Sequence, residues 1–399
     1  MTDGVSQLSP YVQHRILPEW ILLKEVLQRY SWDQIEKFID EVVWRNYWRG
    51  WMEHNPHVWG NYLFILEKNK QEANNKDLQA AYSGETGIEC FDDWVRKLYK
   101  TGYLHNHERM WFASIWIFTL NLPWHLGADF FLKLLLDGNE CVNTLSWRWV
   151  AGLHTPGKHY LARAENIQRY TQGRYFPQGL LDESALSKVE DKILITSDHY
   201  PDNSILIFED FLYDASDVKS NIGWIISSDD LSVIQKIKDN AQVKYILCLD
   251  ASCVMQENNS PLVQNNILLK KNFVQELILE QKSKALCGSF HNLEMEIFSI
   301  QEFKIKKEFE SETFANDYFQ EKLVQLANDF MIDNWVVVMP PIGFASDFIS
   351  ENLVLNNRPV HFLKRRWDQD LSKFSNKGFF NFKKKISKES ILDLIAISG

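Results

Sequence analysis

One predicted helix carries a carboxylate, a guanidinium and two indoles on a single face. The four side chains follow one another at positions i, i+3, i+4 and i+7 of segment 32–53, and this spacing brings them to the same side of a helix. They are Glu41, Trp44, Arg45 and Trp48. An ordinary amphipathic helix has the same pattern, with buried indoles and solvated charges. A pocket for a planar, polar ligand would use the same groups, so the residues alone leave both interpretations open.

Two further segments, 101–110 and 137–149, place polar side chains beside predicted helices. The first contains His105 and His107, which are two residues apart and do not converge on one metal ion in a helix, so no metal site is predicted. Capping and surface pairing would account for the remaining polar residues of this segment. The second begins as a polar, glycine-containing loop and runs into a tryptophan-rich helix. Each segment alone is weak evidence for a site.

Together, and in this order, the segments resemble the flavin-binding helical domain of the photolyase/cryptochrome family, over roughly residues 4–177. The motif matches are Ser6-Gln7-Leu8-Ser9-Pro10 (family Ser-x-Leu-Ser-Pro), Glu41 to Arg45 (Glu-x-x-Trp-Arg), Thr86-Gly87 (the start of Thr-Gly-Tyr-Pro), His105-Asn106 with Arg109-Met110, and Asp137 to Asn143 with Trp147. Ile88-Glu89 and the stretch after Trp149 depart from the family pattern.

The resemblance implies that the helical domain binds FAD. The matching positions are Ser6, Leu8, Ser9, Arg45, Asn106, Arg109, Asp137, Asn139 and Asn143. Ser6 and Ser9 would precede a helix whose free N–H groups and dipole favour the pyrophosphate. Arg109 and Asp137 would pair beside the isoalloxazine ring. The side-chain carbonyl of Asn143 would accept a hydrogen bond from flavin N5, as in the photolyase branches of the family.

The resemblance also implies a pocket for damaged DNA and a path for electrons. Glu41, Trp44, Met110 and Asn143 match the residues that meet a flipped cyclobutane pyrimidine dimer, with Trp44 stacking on its bases. Trp147 and Trp124 match members of the chain that photoreduces the flavin. The position of the usual outer tryptophan is close to Gln71, so we expect Trp59, Tyr62 or another aromatic residue to replace it.

The elements that must position these residues change in type along the chain. The first half predicts helices near 32–53, 90–101, 107–121 and 126–137, and Ser31 with Gln34 predicts a capping box. A polar segment, 181–192, predicts a domain boundary. Beyond it, β-rich runs alternate with helical stretches at 229–239, 271–284 and 315–330. The β-rich runs are Ile193–Thr196, Ile205–Phe208, Ile222–Ile226, Tyr245–Leu249, Trp335–Met339 and Val360–Leu363.

We therefore predict an α + α/β two-domain protein. Residues 1–180 would form the all-helical FAD-binding domain, and residues 193–399 a Rossmann-like α/β domain. The family's N-terminal antenna domain has no counterpart before residue 4, so the second half is either that domain in permuted position or an unrelated α/β domain. An antenna chromophore is left open. Net charge differs between the halves, being about −1 over residues 1–180 and −9 over the rest of the total −10.

Composition limits the classes of protein to which this chain can belong. The chain has 399 residues, 45% of them hydrophobic and 24% charged, which is typical of a globular protein and excludes fibrous and largely disordered classes. No apolar run predicts a membrane span, and no secretory signal is visible at the N-terminus. Five cysteines without paired spacing suit a reducing compartment, so we expect a cytoplasmic protein. We also expect a monomer.

The resemblance and the residues together predict a light-driven DNA repair enzyme, a deoxyribodipyrimidine photo-lyase. Its partner would be UV-damaged DNA, and cyclobutane dimers are favoured over (6-4) products because Glu41, Trp44, Met110 and Asn143 match the former pattern. The main alternative is a cryptochrome-like blue-light photoreceptor without repair activity, signalling through the acidic second half. A third is a light-independent FAD-binding protein.

Overall fold

The computed structural model describes residues 5–71, 76–188, 205–214, 220–237, 240–251, 261–286, 293–300, 312–353 and 358–398. In these ranges, no helix combines the length and the apolar character needed to cross a membrane. The helices up to residue 170 are α1 (Ser9–Gln13), α2 (Glu19–Leu27), α3 (Trp32–His54), α4 (His57–Gln71), α5 (Lys76–Ser83), α6 (Glu89–Thr101), α7 (Asn106–Ser114, continued by a π-helical turn, Ile115–Thr119), α8 (Trp124–Leu134), α9 (Glu140–Ala151) and α10 (Ala164–Tyr170).

Strands and helices alternate in the rest of the chain. The order is β1 (Leu206–Ile207), α11 (Phe208–Asp214), β2 (Ile222–Ser227), α12 (Ser232–Ile237), β3 (Val243–Asp250), α13 (Pro261–Leu286), β4 (Glu294–Ser299), α14 (Glu312–Asp329), β5 (Asn334–Val338), α15 (Phe344–Asn352), β6 (Val360–Lys364), α16 (Arg366–Ser372), α17 (Phe379–Lys385) and α18 (Lys388–Ser398).

The chain forms two compact units. The first comprises Met1–Gln7, His57–Ser197 and Met255–Lys270, and the second comprises Leu8–Pro56, Asp198–Val254 and Lys271–Gly399. The second unit therefore contains α1–α3, which the sequence analysis assigns to the helical domain. The boundary at 181–192 stays a prediction, and residues 189–192 lie outside the described part of the chain.

The first unit is organised around aromatic side chains. Phe112 of α7 stacks on Phe91 of α6 at 4.3 Å between ring centroids and meets Phe131 of α8 at 4.8 Å. Trp116, in the π-helical turn, packs edge-on against Trp147 of α9 at 6.3 Å. Burying such rings removes a large apolar area from water and fixes ring geometry as well. This core holds α6 to α9 in place, and these helices carry most of the unit's predicted site residues.

A six-stranded sheet forms the centre of the second unit. Its order is β1-β6-β5-β2-β3-β4, and every pair of neighbours is parallel. From β2 the chain adds β3 and β4 on one side and then β5 and β6 on the other, so the winding reverses between β2 and β5. Trp224 of β2 lies opposite Ile246 of β3 and Val336 of β5. This is the predicted Rossmann-like α/β architecture.

Helices cover both faces of this sheet. On one face, Trp224 and Val336 pack with Ile234 of α12 and Val274 of α13. On the other face, Trp335 packs in a cluster that includes residues of α14 and α15. Strand β2 is buried at every residue, because a central parallel strand has no solvent face. The continuous apolar run of its sequence follows from that position.

Buried ion pairs join α1 and α2 to the sheet within the second unit. Arg15 is 2% exposed and contacts Glu19 at 3.0 Å and Asp230 at 3.1 Å. Its guanidinium also donates two hydrogen bonds to Asp368, at 2.7 and 2.5 Å. Arg365 donates to Asp230 at 2.8 Å. Interleaved charges of opposite sign compensate one another in an environment where a lone charge would be costly.

Several sequence predictions can be compared with these elements. The capping box at α3 is confirmed, since Ser31 N donates to Gln34 Oε1 at 2.9 Å. Ser9, expected to precede a helix, is instead the first residue of α1, and Leu8 is the N-cap. Strand β4 was not predicted, and the predicted run Ile193–Thr196 lies outside the described residues.

Candidate functional site

An ion pair in the first unit joins the start of α7 to the loop before α9. Arg109 donates from Nη2 to Asp137 Oδ2 at 2.9 Å and from Nε to the carbonyl oxygen of Leu104 at 2.8 Å. Asp137 is 6% exposed and Arg109 is 26% exposed. His105 caps α7 by accepting from the backbone of His107. The guanidinium is thus fixed by two partners while one edge still reaches solvent.

The start of α9 positions two asparagines of the last motif. Asn139 is the N-cap, and its Oδ1 accepts from Val142 N at 3.1 Å. The Nδ2 of Asn139 is buried and has no hydrogen-bond partner among the described residues. One turn later, Asn143 donates from Nδ2 to the carbonyl of Ala128 at 2.8 Å. This bond fixes the amide plane of Asn143, so the orientation of its Oδ1 as an acceptor is also fixed.

Trp147 lies against bare backbone of α8. It is 2% exposed, and a Cβ on Gly127 would lie 2.4 Å from its Cη2 and 2.6 Å from its Cζ3. Only glycine allows this approach at that position. Gly127 is one turn after Trp124 in α8, so the indole of Trp147 is seated on the helix that carries the other predicted relay residue.

A row of stacked rings leads away from Trp124. Tyr62 of α4 stacks on Trp124 with centroids 5.7 Å apart, and Trp59 stacks on Tyr62 at 5.3 Å. The Tyr62 hydroxyl is buried with no hydrogen-bond partner among the described residues, and burial raises its pKa well above the ordinary value. A phenol with no proton acceptor is hard to oxidise, because oxidation at neutral pH is coupled to proton loss. Tyr62 is therefore suited to bridging two indoles rather than to holding a charge.

In the second unit, α3 presents the residues of the Glu-x-x-Trp-Arg motif. Trp44 is half-buried and packs against Phe379 of α17 with ring centroids 3.9 Å apart. Glu41 is exposed. Arg45 donates to the Gln13 carbonyl at 3.1 Å and lies 3.3 Å from Glu19.

Arg45 is buried close to a second cation, Arg49. Burial, followed by the positive charge of Arg49 one turn later, lowers the pKa of Arg45 to about 9. The guanidinium is still protonated at neutral pH. An anion on this face of α3 would relieve the repulsion between the two cations.

The predicted phosphate motif lies at the start of a short helix. Helix α1 has five residues, no side-chain cap and Leu8 at its N-cap. Ser6 is exposed and lies in the first unit, whereas Leu8 and Ser9 lie in the second. A helix of five residues has a small dipole and few free N–H groups, so phosphate binding by Ser6 and Ser9 stays a prediction.

The predicted site residues fall into two groups, one in each unit. The first unit holds Ser6, Asn106, Arg109, Met110, Trp124, Asp137, Asn139, Asn143 and Trp147, and the second holds Leu8, Ser9, Glu41, Trp44 and Arg45. Asn106 is exposed, at the first position of α7, and Met110 is half-buried one turn later.

The polar groups of the first unit fit a cofactor rich in both donors and acceptors, such as FAD. The unpartnered Nδ2 of Asn139 needs an acceptor, and the oriented carbonyl of Asn143 can accept a hydrogen bond. In the ion pair, Arg109 is a hydrogen-bond donor and Asp137 is an acceptor. A buried amide without a partner is costly, so its presence supports a bound ligand.

Sequence reasoning missed two contributors to these groups. Gly127 admits Trp147, and its only signal in the sequence was a glycine inside a predicted apolar helix. Phe379 covers part of Trp44 from a position 335 residues away in the sequence, and nothing in the local pattern indicated that contact.

Comparison with known proteins identifies the helical segment. Residues 38–178 match the family model described as the FAD binding domain of DNA photolyase. A deoxyribodipyrimidine photo-lyase of Streptomyces griseus is 31% identical over 154 residues, which are 38% of this chain and 33% of that protein. One of Thermus thermophilus is 31% identical over 159 residues, 40% of this chain and 38% of that protein.

A cryptochrome DASH of a Synechocystis species is 30% identical over 186 residues, 44% of this chain and 37% of that protein. The chain therefore spans only about a third of the length of each of these curated relatives.

Proposed function

We propose that this chain, whose residues 38–178 belong to the photolyase/cryptochrome family, binds FAD and uses blue light to repair cyclobutane pyrimidine dimers in DNA. When bound and reduced, FAD supplies on excitation the electron that splits the dimer and takes it back afterwards. The observation that carries the proposal is the oriented amide of Asn143, whose carbonyl is held by the bond from its Nδ2 to Ala128. A fixed acceptor at this motif position favours the reduced, N5-protonated flavin.

In this proposal the first unit holds the ring system through side chains that are already positioned. Arg109 and Asp137 form the charged pair beside the ring, while Asn139 donates the hydrogen bond that its buried Nδ2 lacks. Asn106, Ser6, Leu8, Ser9 and Arg45 complete the predicted set. Arg45 would contribute positive charge for the phosphates, and its lowered pKa is consistent with a need for an anion.

Lesion binding is assigned to Glu41, Trp44, Met110 and Asn143. Base stacking on an aromatic ring contributes about 1–3 kcal/mol per base. Phe379 lies 3.9 Å from the Trp44 ring, so a base must use the other face of Trp44 or displace Phe379. Glu41 is exposed, so its carboxylate is accessible to a hydrogen-bond donor on the dimer.

Electron supply to the flavin is assigned to Trp147 and Trp124, with Trp59 as the outer member. The stacking distances of 5.7 and 5.3 Å on either side of Tyr62 support this order. Tyr62 then acts as a bridge between two indoles. Trp59→Phe is expected to slow photoreduction more than Tyr62→Phe, measured by the absorbance of the flavin under blue light.

A cryptochrome-like photoreceptor is the second candidate. The chain is about as similar to a cryptochrome DASH as it is to the photo-lyases, and this similarity favours the second candidate. The two candidates differ in one outcome. A photoreceptor photoreduces its flavin and leaves dimers intact, whereas a repair enzyme restores thymines.

The deciding experiment is a repair assay on the full-length protein. Reduced protein is mixed with an oligonucleotide that contains one thymine dimer, illuminated with blue light, and the restored thymines are counted against a dark control. We expect light-dependent restoration. A protein that contains reduced flavin and restores no thymine would overturn the repair proposal in favour of the photoreceptor.

Variants separate the lesion site from the fold. Glu41→Ala is expected to keep FAD and to lose most repair activity, because the dimer loses a charged hydrogen-bond partner. Glu25 is an exposed glutamate of α2 in the same unit, so Glu25→Ala is the matched control and should repair normally. Equal repair by the two variants would refute the assignment of Glu41.

The α/β unit is proposed to be the family's antenna-type domain in a C-terminal position. Its doubly wound parallel sheet supports this assignment. Absorbance of the purified protein beyond that of its FAD content would support an antenna chromophore, and a spectrum fully accounted for by FAD would count against one. The monomeric state, the cytoplasmic location and binding to UV-damaged DNA remain predictions of the same proposal.

A further inference from the structure

A cleft of about 300 Å³ opens within the second unit at the carboxyl ends of β5 and β6. The loop after β5 contributes Pro340, Pro341 and Ile342, and the end of β6 contributes Lys364. Helix α3 contributes Arg49 and Glu53. In open α/β sheets, ligands bind outside the carboxyl ends of the strands, near the point where the winding reverses. In this sheet the winding reverses between β2 and β5, so the cleft at the end of β5 lies next to the reversal.

Arg49 is the unusual residue of this cleft. It is 5% exposed, and its Nε and Nη2 are buried with no hydrogen-bond partner among the described residues. These two nitrogens form one edge of the guanidinium, the edge that binds two oxygens of an oxyanion side by side. By contrast, the guanidinium of Arg15 in the same unit contacts three carboxylates. A buried guanidinium edge without a hydrogen-bond partner is unfavourable, so the Nε–Nη2 edge of Arg49 favours a ligand that supplies acceptors.

The two carboxylates that line the cleft, Glu53 and Asp368, make their hydrogen bonds to other groups, although the charge of Arg49 contributes to the lowered pKa of Asp368. Glu53 pairs with Lys364 at 2.6 Å and accepts from Ser372 Oγ at 2.5 Å. Asp368 accepts two hydrogen bonds from Arg15. The positive charge of Arg49 also contributes to the lowered pKa of Arg45, so positive charge accumulates along this face of α3. The Nε–Nη2 edge of Arg49 is left without an acceptor among the described residues, and an oxyanion from outside the chain would supply one.

We propose that this cleft binds a small phosphate-bearing molecule, with its phosphate on Arg49 and its apolar body against the proline loop. Pro340, Pro341 and Ile205 supply the apolar wall. The proposal rests only on residues of the second unit and is independent of the FAD assignment.

Calorimetric titration of the FAD-loaded, full-length protein tests this site, since bound FAD excludes binding of the probe at its own position. The probes are AMP, inorganic phosphate, adenosine and benzoate. We expect AMP to bind, phosphate to compete with it, and adenosine to bind at least tenfold more weakly. Arg49→Gln should weaken AMP binding by tenfold or more.

Two further variants keep the test sharp. Arg29 is an exposed arginine of the same unit, so Arg29→Gln is the matched control and should bind AMP like the parent protein. Ile205→Trp fills the cleft and retains Arg49, and it should also abolish binding. Circular dichroism verifies that each variant is folded.

The proposal fails if neither AMP nor phosphate binds at millimolar concentration, or if Arg49→Gln binds AMP as tightly as Arg29→Gln does. Binding of benzoate through Arg49 without binding of either phosphate probe would also overturn it, because the site would then select carboxylates.

Discussion

Replacing Gly127 with alanine tests whether Trp147 needs the bare backbone of α8. The added methyl would lie 2.4 Å from Cη2 of Trp147, whereas carbon atoms in contact are normally about 3.5–4.0 Å apart. The indole must therefore retreat by roughly 1 Å, and overpacking of this kind costs about 1–3 kcal/mol. Alanine gains about 1 kcal/mol over glycine within a helix, which offsets part of that cost.

A double-mutant cycle isolates the steric part from the helix propensity. Trp147→Phe removes the two closest ring atoms, Cζ3 and Cη2, whereas Nε1 of Trp116 stays 2.9 Å from the added Cβ. In that background Gly127→Ala should therefore be less costly by about 1–2 kcal/mol but not free of strain. Urea unfolding of the four proteins, followed by circular dichroism, gives the coupling energy. A methyl on Gly378 would meet nothing within 4 Å, so Gly378→Ala is the control and should show no coupling to Trp147.

The reasoning is refuted if Gly127→Ala costs the same free energy of unfolding with Trp and with Phe at position 147. Flavin photoreduction gives a second readout. If Trp147 relays electrons, its displacement should slow photoreduction in Gly127→Ala while FAD content stays unchanged.

Three other predictions concern buried polar groups. Arg15→Met should lower the free energy of unfolding by about 3–5 kcal/mol, because it removes a buried cation that three carboxylates share. Arg29→Met, at an exposed site, should change it by less than about 0.5 kcal/mol, and equal effects in urea unfolding would contradict the ion-pair account. Arg15 lowers the pKa of Asp368. The pair therefore stabilises the fold fully above the unfolded pKa of about 3.9, and that contribution is lost as the pH falls through the lower pKa of the folded state. Asp368→Asn should flatten the acid side of the profile of stability against pH, and an unchanged slope would count against this assignment. Tyr62→Phe removes a buried hydroxyl that has no partner among the described residues, so stability should be unchanged or slightly higher in thermal unfolding; a clear loss of stability would mean that the hydroxyl is satisfied in solution.

Local signals were sufficient where a residue's partners are near in sequence. Ser31 and Gln34 cap α3 because the two groups are three residues apart. The continuous apolar run of β2 is likewise contained in one short segment, and it predicted a buried parallel strand. Strand β4 escaped prediction because Glu294 and Glu296 interrupt its apolar residues, and a strand at the edge of a sheet tolerates such charges.

Contacts between distant segments could not be predicted from the sequence. Arg15 finds Asp230 and Asp368 at separations of 215 and 353 residues, and no periodicity relates such positions. Among the site residues, the motif matches suggested which side chains matter, but not their supports. That Ala128 fixes Asn143 and that Gly127 seats Trp147 depend on how α8 packs against α9.

The ion pairs of Arg15 also bear on how the protein is made. Synthesis proceeds from the N-terminus, so α1 leaves the ribosome long before Asp368 is translated. Until then the guanidinium of Arg15 has only Glu19 and, once it is translated, Asp230 as partners, and the last strand of the sheet, β6, is translated only just before Asp368. Contacts of such high sequence separation form slowly. The second unit should therefore complete its folding only after release of the nascent chain, and a chain that terminates before residue 368 should remain a substrate for chaperones and proteases.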